Sequence, residues 1–138
     1  MWVMNLQISR SQHRQLIDWA KKAEPNECCG LMLGDRGVVE SMELTANVAE
    51  MPEQNFEIDP SALIAAEKRA RSGGRAILGY FHSHPNGLAE PSKTDARMAN
   101  DDGRIWMIIA GGQVSAWRPV TKAGDEQIRF VREAIVEG

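Results

Sequence analysis

The chain has 138 residues, of which 43% are hydrophobic and 25% charged, with a formal net charge of −3. That suits one globular domain, residues 1–138, able to bury a core without staples, and the acidic balance with no dense basic run excludes a nucleic-acid-binding footprint. No apolar stretch approaches the about 20 residues of a membrane span, and residues 1–5 show neither a cationic nor an apolar leader region, so no membrane association and a cytoplasmic location are expected.

In chain order, Leu6-Gln7-Ile8 predicts a short strand. Residues 9–22 predict a helix, with Leu16, Ile17, Trp19 and Ala20 at roughly helical spacing and His13 as a surface histidine. Residues 28–33 and 38–44 predict two strands joined by Gly34-Asp35-Arg36-Gly37, a polar, glycine-flanked hairpin link. Adjacent Cys28 and Cys29 cannot close a useful loop, so this is no disulfide scaffold. In a strand they face opposite sides, as small buried hydrophobes. The functional alternatives are a redox-sensitive thiol beside Glu27, or a thiol that displaces a metal's water at rest. Residues 47–57 are polar and irregular, with a short strand predicted at 56–58. Pro60 suits the start of a helix continuing over 61–71, and Lys68, Arg69 and Arg71 near its end complement the helix dipole.

Residues 75–81, apolar and partly aromatic after Ser72-Gly73-Gly74, predict a buried strand. A polar helical run over 92–100 follows. Strands over 105–110 and 114–119 flank Gly111-Gly112-Gln113, a second hairpin turn. For residues 125–136, strand and helix both remain open. Trp2, Trp19, Trp106 and Trp117 are scattered, as core or interface residues are, and the N-terminal Met and Trp leave a homodimer open. These elements make an α/β domain, a mixed sheet flanked by helices.

The stretch His82-Ser83-His84-Pro85, followed by Ser92 and Asp95, carries the chemistry. Side chains alternate along a strand, so His82 and His84 share a face and Ser83 takes the other. Pro85 ends the pairing, and Asn86-Gly87 and Pro91 mark a loop. Asp95, in the first turn of the next helix, can fold back over the strand end. Two imidazoles and a carboxylate are three zinc-type ligands with one position open, the pattern of a catalytic rather than a structural zinc site. Ser92-x-x-Asp95 is also a helix-capping pattern, and the two readings are compatible. A zinc hydrolase needs a general base. Glu24, Glu27 and the acidic residues of 50–57 are candidates. Glu27 stands at the mouth of a core strand, where a carboxylate needs a partner or a task, although position alone also fits a solvated loop residue.

The set Glu27, His82-Ser-His84-Pro, Ser92-x-x-Asp95 resembles the JAMM (MPN+) metalloprotease motif. The resemblance covers roughly residues 5–120, including Glu27-Cys-Cys-Gly-Leu-Met-Leu-Gly, Asn55-Phe56-Glu57-Ile58-Asp59-Pro60 and Gly79-Tyr80-Phe81. It implies the MPN fold, a mixed curved sheet flanked by helices and related in layout to cytidine deaminases. It implies zinc on His82, His84 and Asp95, Glu27 as general base, and Ser92 as a hydrogen-bond donor to the oxyanion. It also implies hydrolysis of a peptide or isopeptide bond after the Gly-Gly tail of a ubiquitin-like protein. The short core resembles the minimal prokaryotic form, whose members are associated with sulfur carriers of the ThiS and MoaD type. The 47–57 segment is an expected wall of the tail groove. The alternatives are a phage-tail peptidase, a non-catalytic module binding a ubiquitin-like protein, and a zinc deaminase, which the lack of Cys-x-x-Cys disfavours.

Overall fold

The computed structural model describes residues 5–121, 124 and 127–138. The elements are β1 (Leu6–Ile8), α1 (Arg10–Ala23), β2 (Cys29–Asp35), β3 (Val38–Thr45), α2 (Pro60–Arg71), β4 (Ala76–Ser83), α3 (Lys93–Met98), β5 (Ile105–Ala110), β6 (Gln113–Thr121), β7 (Ile128–Glu133) and β8 (Ile135–Glu137). Local chemistry explains their ends. Ser9 closes a capping box on α1, with Gln12 N–H donating to Ser9 Oγ at 3.0 Å and Ser9 N–H to Gln12 Oε1 at 2.9 Å. The β2–β3 hairpin turns on Arg36 (φ 50°) and Gly37 (φ 77°), the paired left-handed conformation that matches strand twist in a two-residue turn.

Among the described residues the strands form one mixed sheet in the order β7-β6-β5-β4-β2-β3-β1-β8. Strand β2 lies antiparallel to β3 and β4, and β4 parallel to β5. The two end strands, β7 and β8, are separated in sequence by Ala134 alone. One C-terminal segment therefore pairs with β6 (Ala116↔Glu133) and then with β1 (Leu6↔Ile135). The sheet curves until its ends meet, which removes most free edge.

The two faces bury different cores. On the α1 face, Leu16 packs with Cys28, Met32, Phe81, Met107 and Ile109, and Trp19 stacks on Phe81 with centroids 5.6 Å apart. On the other, Leu31, Leu33 and Ala66 of α2 form one cluster, and Cys29, Phe56, Ala99 and Trp106 another. Alternation along β2 thus sends Cys28 and Cys29 to opposite faces.

Several expectations are corrected. Residues 56–58 form no strand; Ile58 makes one isolated bridge to Asn47, because Pro60 opens α2 two residues later. The motif strand runs on through Ser83. Helix α3 has six residues, shorter than the expected 92–100, with Ser92 as its cap. The terminal segment resolves into β7 and β8, since period-2 burial wins where an open sheet edge is available. Trp2 and the start of the terminal segment, Asp125, lie outside the described residues. No described helix is long and apolar enough to cross a membrane.

Candidate metal centre

The register of two strands, β2 and β4, assembles the site. Cys29 pairs with His82 across β2 and β4, and Ser83 N–H donates to Cys28 O at 3.0 Å. Stepping outward, Glu27 comes opposite His84. The Ser83 hydroxyl accepts Cys28 N–H at 2.8 Å, clasping the strand end that carries Glu27. The expected alternation holds: His82 and His84 face one another on one side, with Nε2 atoms 3.1 Å apart, and Ser83 turns to the other.

Asp95 completes the constellation. Ser92 N–H donates to Asp95 Oδ2 at 2.9 Å and Asp95 N–H to Ser92 Oγ at 3.0 Å, so the capping box exists. The same Oδ2 stands 3.2 Å from His82 Nε2 and 3.1 Å from His84 Nε2. Capping and convergence are one geometry, since the box is what turns the carboxylate toward the strand end. Glu27, His82, His84 and Asp95 are all buried. Ligand-type atoms of Glu27, His82 and His84 lie within 4.8 Å of one another.

Proton bookkeeping tests whether this set suits a cation. The Leu88 carbonyl, 2.7 Å from His84 Nδ1, can only accept, so Nδ1 carries the hydrogen and a neutral His84 presents a bare Nε2 lone pair to the Asp95 carboxylate. Two acceptors face each other and require a positive charge between or beside them. A buried Glu27 Oε1 without a hydrogen-bond partner among the described residues adds to the demand. Tetrahedral zinc with ligands at about 2.0–2.1 Å spaces its donor atoms about 3.3 Å apart, close to the separations of 3.1 to 3.2 Å found here. The residues fit a zinc ion.

The electrostatics agree. Burial pushes Glu27 up to about 7, with His84 opposing and Asp95 adding to the rise. Burial lowers His82 more than its Asp95 contact restores. For His84 burial is outweighed by Asp95 and the Leu88 carbonyl, so its pKa rises. Burial of Asp95 is outweighed by its close contacts with the His82 and His84 rings, which hold the carboxyl far below its usual range. His82 Nδ1 meets no partner among the described residues. Its ring is fixed by packing instead, stacked on Phe56 at 4.2 Å and edge-on to Trp106 at 5.5 Å.

The remaining candidates separate clearly. Glu24 is exposed at the end of α1. Both cysteines are buried, and burial raises both thiols, Cys29 to about 11, the reverse of a reactive thiolate. The sequence reading missed two fixing groups. Asn47 donates through Nδ2 to Glu27 O at 3.0 Å and Asn55 O at 3.1 Å, and its Oδ1 accepts from Ala49 and Glu57 N–H. Leu88 fixes a tautomer through its carbonyl, which no side-chain pattern reveals. Phe56 and Glu57 border a cleft of about 290 Å³ floored by Tyr80 and Trp106.

The chain matches a family model over residues 9–120, described as prokaryotic homologs of the JAB domain. A desampylase of Haloferax volcanii is 33% identical over 88 residues, 62% of this chain and 63% of that protein. A probable TtuB-protein conjugate cleaving protease of Thermus thermophilus is 39% identical over 87 residues, 63% of this chain and 57% of that one. The chain thus spans about three fifths of the length of these two relatives. Among solved structures, a protein from Desulfitobacterium hafniense superposes with a TM-score of 0.79 at 30% identity, covering 96% of this chain and 92% of that one. A JAB1/MPN domain protein from Archaeoglobus fulgidus shares the fold, with a TM-score of 0.58 at 19% identity and 96% and 98% coverage.

Proposed function

The chain belongs to the prokaryotic homologs of the JAB domain, and on that premise we propose that it is a zinc metallopeptidase that releases whatever is joined to the Gly-Gly terminus of a ubiquitin-like or sulfur-carrier protein. The observation that carries the reading is the convergence of His82, His84 and Asp95 within 3.1 to 3.2 Å of one another beneath a buried carboxylate, Glu27. The names of the two relatives, one of them for cleaving a protein conjugate, support the substrate class.

His82, His84 and Asp95, whose Nε2 and Oδ2 atoms converge, would hold the ion. When bound, zinc supplies Lewis acidity toward the scissile carbonyl and lowers the pKa of its water to about 7. Glu27, itself raised to about 7, accepts the proton of the attacking water and returns it to the leaving amine, a role suited to a group poised near the working pH. Ser92 Oγ already accepts Asp95 N–H, so its own O–H is free to donate to the oxyanion. The cleft beside Phe56, Tyr80 and Trp106 adjoins His82 and suits an extended tail lacking bulky side chains. Whether the bond is a peptide or an isopeptide depends on what the carrier is joined to, and the same chemistry serves both.

The test is intact-mass analysis of a ThiS- or MoaD-type carrier extended beyond its Gly-Gly, incubated with wild type and with Glu27→Ala. Cleavage after Gly-Gly by wild type alone is expected. Cleavage by both proteins, or by neither when zinc is bound, rejects the proposal.

A further inference from the structure

We infer that Ser115, on β6, is a positioning residue that holds His84 in its metal-binding tautomer through the 85–91 loop, and so sets the affinity of the centre for zinc. The inference rests on the proposed reading of His82, His84 and Asp95 as ligands. It starts from a weakness in the fold. Residues 85–90 are all exposed. A cleft of about 170 Å³, bordered by Pro85, Gly87, Gly111 and Gly112, runs beside them. Packing therefore does little to fix this loop, yet its Leu88 carbonyl takes the His84 Nδ1 hydrogen at 2.7 Å.

The ties within the loop are local. Gly87 N–H donates to His84 O at 3.0 Å, and Leu88 N–H to Asn86 Oδ1 at 3.0 Å. Among the described residues, the side-chain tie from elsewhere in the fold is Ser115, whose Oγ donates to Ala89 O at 2.9 Å. Its direction is set. The Trp117 indole N–H, which can only donate, reaches Ser115 Oγ at 2.9 Å, and the Ala89 carbonyl can only accept, so the hydroxyl proton must point at the loop. The chain Trp117 → Ser115 → Ala89 ends one residue from the carbonyl that orients His84.

The frame behind this chain is rigid. His82 pairs with Ile108 across β4 and β5, and Ile108 with Ser115 across β5 and β6. One sheet row thus carries one ligand, His82, and the anchor of the loop that orients the other. Ser115 is 4% exposed and Ile108 fully buried, so the row cannot shift independently of the core. Groups that orient a ligating histidine typically change metal affinity by about 10–100-fold when lost.

The experiment measures zinc affinity by competition with a chromophoric chelator, alongside thermal melting, for wild type, Ser115→Ala, Ser115→Thr and Trp117→Phe. Leu16→Val, a core change that removes none of the loop's hydrogen bonds, is the control for lost stability. Expected results are zinc binding about tenfold weaker in Ser115→Ala, a smaller loss in Trp117→Phe, recovery in Ser115→Thr, which keeps the hydroxyl, and no change in Leu16→Val. A folded Ser115→Ala that binds zinc within twofold of wild type overturns the inference. If that variant does not fold, unchanged affinity in Trp117→Phe does so instead. Absence of zinc binding in wild type rejects the ligand reading itself, a distinguishable outcome.

Discussion

At the scale of single residues, Glu27 illustrates how burial makes chemistry. It is 5% exposed with one carboxylate oxygen unpartnered among the described residues, and its folded-state pKa rises from 4.5 to about 7. A raised acid pKa means the native state binds more protons than the unfolded chain between those values. Its contribution to stability is therefore intact below pH 4.5 and lost as pH rises to about 7. In metal-free protein, Glu27→Gln is expected to be more stable than wild type at pH 8, by up to about 3 kcal/mol, and to show no such gain at pH 4. Urea denaturation of both proteins at the two pH values checks this; equal stability at pH 8 would contradict a carboxylate forced to ionise in a buried site. Glu27 was legible as a candidate from its place before an apolar strand, but its burial was not, because that depends on Pro52 O accepting its N–H and Asn47 reaching its carbonyl, from residues 25 and 20 positions away.

At the scale of elements, the short helix α3 does two tasks with one motif. Ser92 caps it while turning Asp95 inward. Replacing Ser92 with Ala removes the cap, costing about 1 kcal/mol, and, on the proposed function, an oxyanion donor, with kcat expected to fall by about 10²-fold. Zinc content should persist because Ser92 N–H still holds Asp95. Melting, metal analysis and steady-state kinetics on the extended carrier separate the three effects; a kcat loss confined to the fraction of zinc lost would assign Ser92 a structural role only. Strand β4 depends on a glycine for a different reason. A Cβ at Gly79 would lie 1.9 Å from Ile105 O and 2.7 Å from Ile105 N, both backbone atoms of the parallel neighbour β5. Backbone cannot swing aside as a side chain does, so Gly79→Ala should cost several kcal/mol, about the upper range of single substitutions, and lower the yield of folded protein. A melting temperature equal to that of wild type would show that the β4–β5 pairing has more slack than its geometry indicates.

At the scale of the molecule, the curved sheet is closed by its last segment, which serves β6 and β1 in turn. Deleting residues 128–138 opens two strand edges and uncovers Trp106, which packs against Phe130. The expected result is association, seen as larger species in sedimentation velocity, with lower thermal stability; a monodisperse truncated protein would show that closure is dispensable. The sequence by itself determined the element types through β6, the 56–58 segment apart, because hydrophobic periodicity and turn chemistry are local. It also determined the metal-type residues, because His82 and His84 need only strand alternation to share a face, and Asp95 only the cap of the following helix. The tertiary structure alone decided that Glu27 comes opposite His84, because that follows from the β2–β4 register, and that residues 56–58 pack Phe56 onto His82 instead of pairing as a strand. It alone also decided that Leu88 O meets His84 Nδ1, Ser115 Oγ meets Ala89 O and Asn47 Nδ2 meets Glu27 O, because each contact joins a side chain to a backbone carbonyl brought near by folding. Side-chain identity is written in the sequence; the direction of a carbonyl and the pairing of distant strands are set only when the chain closes on itself.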